Sequence, residues 1–158
     1  MMIMPSSDQK REEALMSQAT DVDLKAFLAD WQEGPERIKE IFLSYKGQLE
    51  RDEAIQLQFI PRPGVTYSLR AAHKAQTSRE LLAMIDVIED SPRWLSVCFY
   101  ADMISDPEGQ GDAVPGGLLG EDAICFDLES WEQNRVQYVA ARLAEACQYV
   151  LLRSEDRL

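Results

Sequence analysis

The feature that most constrains this chain is a change in the period of its apolar residues, from helical spacing to strict alternation and back again. Leu24, Phe27, Leu28 and Trp31 share one helical face, and Ile38, Ile41, Phe42, Tyr45 and Leu49 share another. From Ile55 the period becomes two: Ile55, Leu57 and Phe59 alternate with Gln56 and Gln58, as in a strand with one wet side. Strand-like runs follow at 65–72, 81–89, 94–103 and 123–128, parted by turns such as Pro61 to Gly64 and Asp90 to Arg93. A helical seam returns at Val136, Val139, Ala140, Leu143, Cys147 and Val150.

Parallel strands need a crossover of about a dozen residues or more, usually a helix. No helical pattern stands between Ile55 and Leu128, so these strands must run antiparallel. The expected fold is α+β, with two N-terminal helices, a five-stranded antiparallel meander and a long C-terminal helix packed on the sheet. Thr20 with Asp23 predicts the first helix start, Gly34-Pro35 a sharp corner between the first two helices, and Ser130 with Gln133 the start of the last. Residues 1–19 are polar and charged with a weak apolar patch, and read as a flexible segment before a single domain over 20–158.

Sixteen basic against twenty-eight acidic residues give a net charge of -12, which repels phosphate backbones and argues against nucleic acid as a partner. No apolar run approaches the roughly 20 residues that span a bilayer, and Met1 to Pro5 lack the pattern of an export signal. A cytoplasmic location without membrane contact is expected. The three cysteines, Cys98, Cys125 and Cys147, are widely spaced in apolar segments and read as buried thiols. No metal set and no cofactor motif is recognised. The start of the acidic run Asp106 to Asp112 resembles a calcium loop, but Gly117 stands where such a loop needs a glutamate.

In a meander every second connection lies at the same end of the sheet, so 73–80 and 104–122 should meet there. From Ala54 to Arg79 there is no acid, and from Trp94 to Asn134 no base. A polar cleft built from His73, Lys74, Arg79 and Asp102 is one expectation, and mutual neutralisation of the two loops is the other. Asp106, Glu108 and Asp112 are expected to face Lys74 and Arg79, with Leu118 and Leu119 as the apolar anchor of an ordered loop.

The sheet face away from the C-terminal helix carries Arg70, Asp86 and Tyr100 beside Ser68, Ser96, Cys98, Trp94 and Met84. Such a mixed face calls for a cover: the N-terminal helices, a second copy of the chain, or a bound ligand. A noncatalytic module that binds a protein or small molecule is the first functional expectation. A small hydrolase-like enzyme pairing His73 with Asp102 or Cys98 is the alternative.

The stretch Pro92-Arg93-Trp94-Leu95-Ser96-Val97-Cys98-Phe99-Tyr100, followed by Asp106-Pro107, Gly117-Leu118-Leu119-Gly120 and Cys125-Phe126-Asp127, resembles a family of small bacterial proteins of unknown function. The resemblance spans roughly residues 65–150 and implies a bacterial cytoplasmic origin. It assigns no catalytic residue.

Overall fold

A computed structural model describes residues 6–155. Helices α1 (Ser7–Asp30) and α2 (Ile38–Glu50) precede strands β1 (Ile55–Arg62), β2 (Thr66–His73), β3 (Ala83–Ile88), β4 (Trp94–Tyr100), β5 (Asp112–Leu118) and β6 (Glu121–Leu128), and helix α3 (Gln133–Glu155) follows. All neighbouring strands are antiparallel, in the order β1-β2-β3-β4-β6-β5. The expected meander is present as β1, β2, β3, β4 and β6. The sheet nevertheless has six strands rather than five, because part of the long connection pairs with the outer side of β6.

That sixth strand contains Pro115, Gly116 and Gly117, residues depleted in strands, so its own sequence does not announce it. Pairing is set up by the tight turn behind it. Leu119 and Gly120 both adopt positive φ (49° and 84°), the backbone of a two-residue type I′ hairpin, between the paired Leu118 and Glu121. Gly111 leads into β5 where a Cβ would stand 2.9 Å from the Phe126 ring, so only glycine lets the chain approach.

Helix α1 begins at Ser7, well before Thr20, with Ser6 and Gln9 forming a reciprocal capping box (3.2 and 2.9 Å). Thr20 is no cap. Its Oγ1 accepts the outward Phe59 N–H of edge strand β1 (3.3 Å), so α1 blunts an edge that would otherwise offer unpaired backbone. Residues 7–19 are exposed along the helix. The Gly34-Pro35 corner exists, but α2 starts at Ile38 after Arg37 in a left-handed conformation (φ 62°). Ser130 does not cap α3 either: the Val136 N–H reaches the Glu132 carbonyl (2.8 Å), while Gln133 accepts the Trp131 indole N–H (3.1 Å).

The core lies on one side of the sheet. Leu69, Ile85, Val97, Phe99 and Phe126 are fully buried there with Phe42, Tyr45 and Leu49 of α2 and Val139, Leu143 and Ala146 of α3. The Tyr45 hydroxyl donates to the Val136 carbonyl (3.0 Å) and the Gln48 amide to that of Ala140 (2.9 Å), which joins the two helices. Phe27 of α1 packs on Phe42, Phe59 and Tyr67, with the Arg93 guanidinium 5.1 Å above its ring. Helix α2 thus belongs to the core side, while α1 runs along the β1 edge, where Glu13, Met16 and Ser17 line a cavity of about 580 Å³ with Gln58 and Arg70.

Candidate binding surface

The two connections expected to meet at one end of the sheet do meet. Arg79 of 74–82 lies 4.4 Å over the Tyr100 ring at the end of β4 and donates to both Asp102 oxygens (2.6 and 3.0 Å) and to Glu121 (3.0 Å). Those hydrogen bonds hold the Asp102 carboxyl below its usual range and raise the Arg79 guanidinium further. One cation is thereby closed off by two carboxylates, which leaves it no free fork for an anionic ligand. The adjoining cavity between residues 75–78 and the last turns of α3 is only about 150 Å³, below the span of small-molecule pockets. Lys74 is exposed and outside this cluster.

The acidic loop turns to α3 instead of to the basic loop. Asp106 accepts the Gln110 and Gly111 N–H groups (3.0 and 2.9 Å) and the Tyr138 hydroxyl, and Ser105 donates twice to Glu145 (2.7 and 2.6 Å). Burial works to raise the Asp106 carboxyl, but the Tyr138 hydroxyl and the two N–H groups hold it below the ordinary value. Leu118 is buried and Leu119 is half exposed, so the anchor is one leucine.

His73 belongs to neither cluster. Its side chain is 1% exposed on the core side of the sheet, where Nδ1 accepts the Ala75 N–H (3.1 Å) and leaves the ring proton on Nε2. Nε2 faces Asp52 at 3.6 Å, beyond a hydrogen bond. Asp102 is held by Arg79, and Cys98 lies on the opposite face. The expectation of three buried thiols is overturned as well: Cys98 and Cys125 are direct partners across β4 and β6, with Cα atoms 4.2 Å apart, and form a disulfide. Only Cys147 is free, and burial with Asp52 nearby pushes its thiol up, away from a nucleophilic thiolate.

The remaining predicted residues converge on the face turned away from the helices. Strand registers line them up in three rows: Gln58, Arg70, Met84, Cys98, Cys125 and Asp112; then Ile60, Ser68, Asp86, Ser96 and Asp127; then Arg62, Thr66, Ile88 and Trp94. Along these rows Ile60, Met84, Ile88 and Trp94 are half-buried. The Arg70 Nε is buried without an acceptor among the described residues. Burial pushes the Asp86 carboxyl up, against the Ser68 hydroxyl and the charges of Arg70 and Arg62. Burial likewise raises Asp127, and Asp112 adds to it by like-charge repulsion. Sequence reasoning named Arg70 and Asp86 for this face but set Asp112 against Lys74 and Arg79 instead, and it missed Asp127, whose alternation with Phe126 and Leu128 was the available sign.

A raised Asp86 means the folded chain keeps a proton that the unfolded chain has lost. This group therefore favours folding as pH falls through its folded value and opposes folding at neutral pH. Asp86→Asn is expected to stabilise the domain by about 1 kcal/mol at pH 7, on the scale of one ill-matched buried polar group, with the gain fading as pH falls through the raised folded value and gone below about pH 4. Thermal melts from pH 3 to 8 read this directly. Equal stabilisation at every pH would show that burial of the charge is not the cause.

Fold and surface together define a two-layer α+β domain with α2 and α3 on one side of its sheet, α1 along the β1 edge, and a mixed polar and apolar face on the other side. Among known proteins, no family model, no curated protein and no solved structure matches the chain.

Proposed function

We propose that the protein is a noncatalytic cytoplasmic interaction module that binds through the helix-free face of its sheet. The observation that carries this reading is the composition of that face: Met84, Ile88 and Trp94 beside an Arg70 whose Nε has no acceptor. A half-buried apolar strip beside a guanidinium N–H without an acceptor favours a partner that covers the one and pairs the other. The end cluster moves from candidate cleft to structural clamp, since Arg79 is already neutralised. Among the described residues no helix is long and apolar enough to cross a membrane. In a reducing cytoplasm Cys98 and Cys125 stand as two thiols on the same face.

Binding of the dye 8-anilinonaphthalene-1-sulfonate at low protein concentration tests the reading. Native protein is expected to enhance its fluorescence, Ile88→Glu with Trp94→Glu to abolish the enhancement, and Arg79→Ala to leave it unchanged. Absence of enhancement, or its loss in R79A alone, would move the binding surface away from this face.

A further inference from the structure

Resting on that reading, we infer that the partner is a second copy of this chain, stacked face to face about a two-fold axis parallel to the strands. The argument is the distribution of charge across the sheet. On the helix-free face the basic residues Arg62 and Arg70 stand on β1 and β2, whereas Asp127 and Asp112 stand on β6 and β5. The face is therefore positive toward one edge and negative toward the other, with Met84, Ile88, Trp94 and Ser96 between.

A surface that must match itself has two simple ways to stack. With the two-fold axis across the strands, each strand meets its own copy, and Arg70 falls on basic β2 while Asp127 falls on acidic β6. With the axis along the strands, midway between β3 and β4, the order β1-β2-β3-β4-β6-β5 is reversed on itself. Then β2 lies over β6, β1 over β5 and β3 over β4. Each register row opposes itself end to end, so Arg70 falls between Asp112 of the partner subunit and Asp127 of the partner subunit. The same operation sets Ile88 against Trp94 of the partner subunit and Asp86 against Ser96 of the partner subunit. Electrostatic complementarity thus selects one of the two arrangements.

It also answers two features that the single chain leaves open, since the Arg70 Nε gains acceptors and the apolar strip is covered, and it adds a second cation beside Asp127, which within the chain has only Arg135 against the repulsion of Asp112. Six strands at about 4.8 Å, each about 20 Å long, give a planar face of roughly 580 Å² per partner, the size of a weak interface rather than a standard one. The net charge of -12 per copy opposes association, but solvent-separated charges are screened over about 8 Å at physiological salt, while pairs inside the interface are screened less.

Sedimentation equilibrium of the full chain provides the test. The unmodified protein is expected to dimerise below about 0.1 mM, Arg70→Glu to weaken the dimer at least about tenfold, and Arg70→Glu combined with Asp127→Arg to recover it, because the swapped charges again face each other. Ile88→Arg is expected to give a folded monomer by circular dichroism. A monomer at all these concentrations, or a dimer indifferent to both R70E and I88R, overturns the self-association. Dye binding by that monomer would keep the face as an interaction surface with a different partner, while loss of dye binding as well would remove the underlying reading.

Discussion

Replacing Leu118 with alanine is expected to cost the domain roughly 2–5 kcal/mol, the range for deleting most of a fully buried leucine side chain. The leucine is the one buried residue of β5, in a strand whose other positions are all exposed. Its loss should therefore release the hairpin as well as open a cavity, and amides of 105–122 should exchange faster. The neighbouring Leu119 serves as the control. It is 48% exposed and held at φ 49°, where a leucine side chain is strained, so Leu119→Asn is expected to leave stability unchanged or raise it by up to about 1 kcal/mol through an Asn-Gly turn. Denaturant midpoints separate the two substitutions. A loss below about 1 kcal/mol for L118A would mean that the hairpin is not anchored by this side chain.

Reduction of the Cys98–Cys125 bond is the second large effect. The bond joins residues 27 apart in sequence, and the loop-entropy scale for that separation is about 3.5 kcal/mol of stabilisation lost on reduction. Against a typical total of about 5–15 kcal/mol this is a large share, so the reduced chain should melt well below the oxidised one. Cys98→Ser with Cys125→Ser should reproduce the reduced state, and Cys147→Ser should retain the response to reductant because that thiol takes no part. Coincident unfolding curves with and without reductant would show that the staple adds nothing. The outcome bears on the cytoplasmic proposal, because there the domain must stay folded without the bond.

The elements that could be read in advance are those whose side chains face two different solvents. The stripe Ile38, Ile41, Phe42, Tyr45 and Leu49 predicts α2 because one face is buried and the other wet, and the structure buries all five. Alternation does the same for β1 and β3 and for the first half of β4, whose last four residues are buried on both faces. That the connections read as 73–80 and 104–122 lie at one end was legible for a topological reason: antiparallel strands return every second connection to one end. Arg79 and Asp102 were therefore placed together before their partners were known. Helix starts were less legible, since Thr20 and Ser130 carry capping side chains but spend them elsewhere or not at all.

What composition and periodicity by themselves determined is the α+β class, the antiparallel direction of the strands and which face of each element turns inward, because those depend only on local spacing and on the cost of burying polar groups. Pairings between distant residues were decided by the tertiary structure alone. Strand β5 exists because β6 pairs with Asp112, Ala113, Val114 and Leu118, across an irregular stretch at Pro115, Gly116 and Gly117. Cys98 meets Cys125, and Arg70 shares a row with Asp112, only through the registers between strands. Alternation tells which side a residue faces but not which residue stands opposite, since a slip of two positions preserves every face and changes every neighbour. His73 finds Asp52 rather than Asp102 for the same reason: the partner lies on another element, and the packing of the helices against the sheet sets that distance.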